Sequence, residues 1–114
     1  MASYSDYINL EEGLGRIGGN KKIFGTLLDS FARNKSYDEL CGALEAGDLP
    51  AAAAAAHAIK GMTANLSMTA LYSASAELEQ ALKAGDNNTA LFEKVREARE
   101  KTLAAIEPCK QDLV

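Results

Sequence analysis

The sequence predicts an all-α domain, an antiparallel up-and-down four-helix bundle with one or two short additional helices at its N-terminus. Apolar residues recur every three to four positions along the 114-residue chain, which is the period of amphipathic helices, and strand-like alternation is absent. Proline occurs only at positions 50 and 108, and glycines fall where helical segments end. A chain of this length that is 47% apolar supports one hydrophobic core, so we expect a single domain over residues 1–114.

Two helices are expected in the N-terminal third. The first covers Tyr4 to Leu14 and ends in the glycine-rich stretch from Gly13 to Gly19. The second begins after Asn20, a predicted N-cap, and ends near residues 33–34. Its core-facing stripe comprises Ile23, Phe24, Leu27, Leu28 and Phe31.

The third and fourth helices follow with clear start signals. Ser36 and Glu39 match a capping box, which predicts a helix that runs to Gly47. Asp48, Leu49 and Pro50 open the fourth helix, because proline is tolerated in a first turn, where no N–H bond is lost. The six alanines at 51–56 favour helix by propensity alone, although they bury little surface.

Residues 65–67 are predicted to separate the fourth helix from the next one, which extends to Gly85 with the apolar spacing of a bundle helix. The last helix is expected after residues 86–88, with Pro108 as its end. Four helices of about 15 to 20 residues with short connections are typical of an antiparallel bundle.

Composition excludes several classes of function. The net charge of −4, the pI near 5.0 and the absence of a Lys/Arg cluster argue against binding to nucleic acid. Cys41 and Cys109 lack a CxxC spacing, so we expect free thiols, with Cys41 in the core and Cys109 near the C-terminal end. The acidic N-terminus does not match a signal peptide, and no run approaches a membrane span. A cytoplasmic monomer without membrane contact is the expectation.

The single histidine, His57, lies in the alanine-rich helix. At ~100° per residue, the bulky residues of that helix fall opposite the imidazole, so the ring is predicted to point into solvent. On the histidine's own side lie only small residues and one cation, namely Ala53, Ala54, Lys60, Gly61 and Ala64. A glycine inside a helix costs up to ~1 kcal/mol relative to alanine, which indicates that another molecule docks at this bare surface.

An exposed imidazole surrounded in this way fits few kinds of chemistry. A metal would need further ligands at the neighbouring helical positions, which Lys60 and Gly61 occupy. A haem ligand would need an apolar pocket, and a hydrolase would need an acid to orient the ring, whereas no Asp or Glu lies within a turn of His57. A covalent carrier of a phosphoryl group remains, since such transfer depends mainly on positioning and positive charge.

The sequence does not support either of two nucleotide-binding patterns. Gly13, Gly15 and Gly18 spell GxGxxG, but no strand precedes them and no acidic residue ends a second strand. They are interpreted as a turn between helices. The GxxxxGK[ST] pattern does not occur, which argues against an autonomous kinase.

The segment AHAIKGMTANLSMTALYSASAELEQA resembles the AHxLKG…LG…L…LE signature of histidine-containing phosphotransfer (HPt) domains. The upstream segments LGRIGGNKKIFGTLLDSF and ALEAGDLPAAAAAAH also look like parts of that family, so the resemblance covers roughly residues 8 to 86. Two positions differ, with Ile59 for the usual leucine and Ser67 for the usual glycine. The matching residues are Ala56, His57, Lys60, Gly61, Leu66, Leu71, Leu78 and Glu79.

The resemblance implies a role for each matching residue. His57 would accept the phosphoryl group, Lys60 would stabilise the phosphate or the ring, and Gly61 would leave the gap through which a partner approaches. Docking would involve Ala53, Ala54, Gly61 and Ala64. The implied partners are the receiver domain of a response regulator and a sensor or hybrid histidine kinase.

The resemblance further implies a carrier that is not itself an enzyme and holds no cofactor, because Mg²⁺ would belong to the partner receiver domain. The competing hypothesis is a helical interaction module that binds or sequesters a receiver domain without phosphotransfer.

Overall fold

The computed structural model describes residues 4–114, which form one 3-10 helix and six α-helices without a strand. The all-α prediction is confirmed for this part of the chain. After the 3-10 helix Tyr4–Asp6, the α-helices are α1 Leu10–Arg16, α2 Lys21–Ala32, α3 Ser36–Glu45, α4 Leu49–Asn65, α5 Thr69–Lys83 and α6 Thr89–Gln111. None of these helices has the length and apolar character needed to cross a membrane.

Side-chain caps fix three of the predicted helix starts. The side chains of Asn20, Asp48 and Asn88 accept hydrogen bonds from the third amide of α2, α4 and α6, respectively. Each bond satisfies an amide that has no partner inside its helix. The start of α4 at Leu49 is thereby set eight residues before His57, which determines the face on which the imidazole emerges.

The predicted N-terminal helix is wrong in its extent, because residues 4–16 divide into the 3-10 helix and α1. The side chain of Asn9 accepts a hydrogen bond from the amide of Glu12 and starts a new helix at that point. The capping box at Ser36 is also wrong. The amide of Ser36 instead donates to the side chain of Asn34, and the N-cap position is occupied by Lys35, which makes no side-chain cap.

The predicted end of the last helix at Pro108 is wrong as well, because α6 continues through it to Gln111. A proline inside a helix removes one backbone hydrogen bond, and tertiary contacts offset this loss here. Cys109 is completely buried, and Lys110 Nζ lies 2.8 Å from Asp29 Oδ1 on α2. These contacts hold the final turn of α6 against the rest of the fold.

The core lies along α4 and α5, which pack against each other more extensively than any other pair of helices in the described part of the chain. α3 packs against α4, and α6 packs against α5. Ala52 and Ala56 are completely buried in α4, so the alanine run supplies core contacts as well as helix propensity. Both cysteines are free thiols as predicted, but their burial is reversed, since Cys41 is half-buried and Cys109 is in the core.

Candidate functional site

His57 lies near the middle of α4 and projects from the surface of the bundle. Its side chain is 66% exposed, whereas Ala55, Ile59 and Leu66 on the opposite face are buried. This arrangement agrees with the outward direction predicted from the helical period. The cap at Asp48 and the apolar face of α4 together determine it.

A buried carboxylate from α5 contacts the imidazole. Glu79 Oε2 lies 2.9 Å from His57 Nδ1, and the Glu79 side chain is only 3% exposed. Two lysines bind the same carboxylate: Lys60 Nζ lies 2.8 Å from Oε1, and Lys83 Nζ lies 2.9 Å from Oε2. Glu79 is therefore the centre of a four-residue cluster that joins α4 to α5, which we call the Glu79 cluster (His57, Lys60, Glu79 and Lys83).

The cluster keeps Glu79 ionised. Burial by itself would raise the pKa of this carboxyl, but hydrogen bonds from Lys60, Lys83 and His57 outweigh the burial and lower the pKa from 4.5 to about 2. In the same contact, the hydrogen bond to Glu79 raises the pKa of Lys60. At neutral pH the cluster therefore contains a buried anion held by two ammonium groups.

The ionised carboxylate determines which ring nitrogen of His57 carries hydrogen. A carboxylate without a proton can only accept hydrogen bonds, so Nδ1 must donate to Oε2. In a neutral imidazole the other nitrogen, Nε2, then carries the free lone pair. The exposed ring thus presents a nucleophilic nitrogen on the side away from Glu79, and the ring is held in one orientation.

Glu79 and Lys83 were not among the predicted site residues, although Glu79 belongs to the matched family pattern. The expectation that the His57 ring lacks an orienting acid is wrong. No carboxylate of α4 lies within a turn of His57, but Glu79 of α5 contacts the ring. One sequence signal was available. Glu79 follows Leu78 in the apolar stripe of α5, and a carboxylate at a core-facing position needs charged partners.

Lys60 contacts Glu79, with 30% of its side chain exposed. The predicted docking residues differ in their exposure. Ala54 and Gly61 are exposed, and Ala64 is partly buried. Ala53 is only 6% exposed, which corrects its assignment to the open surface. It lies on the same side of His57 as Lys60, and this side of α4 faces α5.

An open groove of about 680 Å³ lies beside His57, between the first half of α4 and the end of α5. Ala53 lines this groove even though it is largely buried. The remaining lining residues are Leu49, Pro50, Ala54, His57, Glu79, Leu82, Lys83 and Gly85. The imidazole therefore stands at the edge of a largely apolar depression, with Lys83 as the cation that borders it.

Ser67, which replaces the usual glycine of the resembling family, has a φ of 53° in the turn between α4 and α5. This left-handed conformation explains the preference for glycine at such a position. Two hydrogen bonds hold the serine there: its Oγ donates to Glu12 Oε1 at 2.7 Å, and its carbonyl accepts from the amide of Asn9. The turn is thus formed with serine, and α1 is tied to it.

Comparison with known proteins gives a match to a family model. The family model described as the Hpt domain matches residues 33–107, about two thirds of the chain, and this span contains the whole Glu79 cluster. No curated protein and no solved structure matches the chain. Within residues 4–114, no group of three or more His, Cys, Asp or Glu side chains is arranged to hold a metal ion.

Proposed function

Because this chain belongs to the Hpt domain family, we propose that it is a phosphorelay intermediate that accepts a phosphoryl group on His57 and exchanges it with the aspartate of receiver domains. Membership of the family supports a role related to phosphotransfer in two-component signalling. The proposal that His57 is the phosphoryl acceptor rests on the contact between its Nδ1 and Glu79, which leaves Nε2 as the exposed nucleophile.

In the proposed transfer, the lone pair of His57 Nε2 attacks the phosphorus of an aspartyl phosphate. The N–P bond forms while the P–O bond to the aspartate breaks, and the electron pair of that bond leaves with the aspartate as a carboxylate. The Nδ1 hydrogen stays on the ring, which becomes positively charged as the N–P bond forms. Glu79 stabilises this charge through the hydrogen bond that already exists. The reverse reaction returns the phosphoryl group to an aspartate.

Each partner in this scheme has a distinct part. Glu79 orients the ring, and Lys60 acts through Glu79 by holding its other oxygen, Oε1. The receiver domain supplies Mg²⁺ and the catalytic groups, so the chain acts as a carrier rather than as an enzyme. A sensor or hybrid histidine kinase would be the original source of the phosphoryl group. We further propose that the protein acts in the cytoplasm as a monomer.

We propose that the receiver domain docks around His57, over Ala54 and Gly61 and the groove lined by Ala53. Small side chains beside the imidazole support this proposal, because they allow a foreign active site to approach Nε2. The packing of α4 with α3 and α5, and of α5 with α6, supports the up-and-down four-helix arrangement that would present this surface.

The test is incubation of the whole chain with a panel of receiver domains that have been phosphorylated by phosphoramidate in the presence of Mg²⁺. We expect a label on this chain that is stable in alkali and labile in acid, and that is absent from the His57→Gln variant. His57 is largely exposed, so this variant should remain folded. A chain that binds receiver domains without becoming labelled would instead be an interaction module, and the carrier proposal would be wrong.

A further inference from the structure

The two lysines of the Glu79 cluster are not equivalent. Lys60 is the partner of Oε1, whereas Lys83 shares Oε2 with His57 Nδ1. The Lys60 side chain is mostly covered, and the Lys83 side chain is 65% exposed at the last residue of α5. One lysine is therefore built into the contact between α4 and α5, and the other lies at its open edge.

The loss of each lysine from Glu79 would have a different effect. If Lys60 left, Oε1 of a buried and ionised carboxylate would lose its ammonium partner, which is unfavourable. If Lys83 left, Oε2 would keep the hydrogen bond from His57 Nδ1. The Lys83 ammonium is also largely in solvent, so water can solvate it when it leaves the carboxylate. Lys83 can thus leave Glu79 at a lower cost than Lys60.

The position of Lys83 also brings it close to the reacting ring. Its Nζ and the Nδ1 of His57 each lie 2.9 Å from the same oxygen, so the two nitrogens are near each other. Lys83 and His57 both line the open groove at the surface, and Lys60 is not part of that lining. A lysine has a long flexible stem that can carry its charge from one anion to another.

On the basis of the proposed function, we propose that Lys83 is the residue that binds the phosphoryl group on His57, whereas Lys60 remains on Glu79 as a positioning residue. A phosphoryl group brings a charge of about −1.5 to −2 at neutral pH. It therefore attracts the Lys83 ammonium more strongly than Oε2 of Glu79, which already accepts a hydrogen bond from His57. Lys83 turns from Oε2 to the phosphoryl oxygens as the N–P bond forms. No covalent bond to the lysine is made, and its proton stays on Nζ.

The experiment measures the pKa of the phosphoryl group by ³¹P NMR on the whole phosphorylated chain. Phosphoramidate or a phosphorylated receiver domain supplies the phosphoryl group. A cation close to the phosphoryl oxygens favours their ionised form, so we expect Lys83→Gln to raise the proton affinity of the group about three- to fivefold. Lys60→Gln should change it less, and Lys94→Gln, which removes an exposed lysine of α6, should not change it.

A second measurement separates binding of phosphate from a general effect on the fold. In the wild-type chain, the ¹⁵N signal of the Lys83 ammonium should shift on phosphorylation, and the signal of Lys60 should stay close to its original position. The inference alone is overturned if a phosphorylated chain gives the same phosphoryl pKa in Lys83→Gln and Lys94→Gln, or if Lys60→Gln gives the larger change. A chain that accepts no phosphoryl group from either donor overturns the proposed function together with this inference.

Discussion

Glu79 and His57 lie on different helices, 22 residues apart in sequence, and Oε2 of the buried glutamate lies 2.9 Å from Nδ1 of the exposed histidine. The imidazole is held from the protein side by a charged group that solvent hardly reaches. Its other nitrogen faces outward. This relationship combines a fixed orientation with an accessible nucleophile, and it is the basis of the first two predictions.

Glu79→Gln is expected to slow phosphoryl transfer to His57 by on the order of tenfold or more. A glutamine amide can donate as well as accept, so it also permits the tautomer with hydrogen on Nε2, in which the nucleophilic lone pair is lost. The rate of labelling from a phosphorylated receiver domain measures the first effect, and ¹⁵N NMR of the ring measures the tautomer. Glu77→Gln, an exposed change on the same helix, is the control and should alter neither. A Glu79→Gln chain with an unchanged tautomer and rate would contradict the assigned role of Glu79.

Glu79 should also make the stability of the fold depend on pH in the acid range. Burial opposes ionisation of Glu79, but its hydrogen bonds lower the pKa to about 2 in the folded chain, against 4.5 for an unperturbed glutamate. A carboxyl with a lowered pKa contributes stability that is fully present above pH 4.5 and is lost as the pH falls from 4.5 towards 2. The expected contribution is on the order of 1–3 kcal/mol.

Urea unfolding of the wild-type chain and of Glu79→Gln at pH 7, 4.5 and 3 tests this contribution. The difference in the free energy of unfolding between the two chains should be largest at pH 7 and should shrink at pH 3. An equal difference at both values would show that Glu79 is not the group responsible.

Gly61 can be replaced by a small side chain to test stability and by a large one to test docking. A Cβ added at Gly61 or at Gly42 meets no atom within 4 Å, and both glycines are exposed inside helices. Gly61→Ala and Gly42→Ala should therefore each raise the free energy of unfolding by about 0.5–1 kcal/mol. Thermal or urea unfolding measures this gain.

The larger variants Gly61→Leu and Gly42→Leu then test the docking surface. Gly61→Leu should slow transfer from a receiver domain about tenfold or more, because the new side chain would displace the approaching active site. Gly42→Leu should leave the rate unchanged. If the two leucine variants transfer at the same rate, Gly61 does not belong to the docking surface.

The hydroxyl of Ser67 is predicted to offset the strain of a residue other than glycine in a left-handed backbone conformation. Ser67→Ala keeps the Cβ in a left-handed backbone conformation and loses the hydrogen bond to Glu12, so it should lower the free energy of unfolding by about 1 kcal/mol. Ser67→Gly loses the same bond but relieves a strain of about 1–2 kcal/mol, so its stability should be close to that of the wild type. Urea unfolding of the three chains measures both effects. An alanine variant as stable as the glycine variant would rule out this balance.

Several local features of the fold could be predicted because they depend on residues close together in sequence. The exposure of His57 follows from the period of one helix, and the starts of α2 and α4 follow from Asn20 and Asp48. The partners of His57 could not be obtained in this way. Contact with Glu79 depends on how α4 and α5 are aligned along each other, which no spacing within either helix determines.

Pro108 shows the same limit for helix boundaries. The expectation that α6 ends there rested on the one hydrogen bond that proline removes. The burial of Cys109 and the ion pair between Lys110 and Asp29 stabilise the helical turn after Pro108. Neither contact can be recognised from the residues around position 108. Interactions between distant parts of the chain thus decide both the partner of His57 and the end of α6.

Ala52 and Ala56 are completely buried on the helix that carries the exposed His57. Side chains of one methyl group place little volume between α4 and its neighbours, so the helix backbones can approach closely. The reach of a glutamate side chain then suffices to span from one helix to the imidazole on the next. Leucine at either alanine would overfill a completely buried position, and any resulting shift of α4 relative to α5 would weaken that contact without altering any atom of the nucleophile. The reactivity of the histidine thus depends in part on the size of buried side chains that a docking partner does not contact.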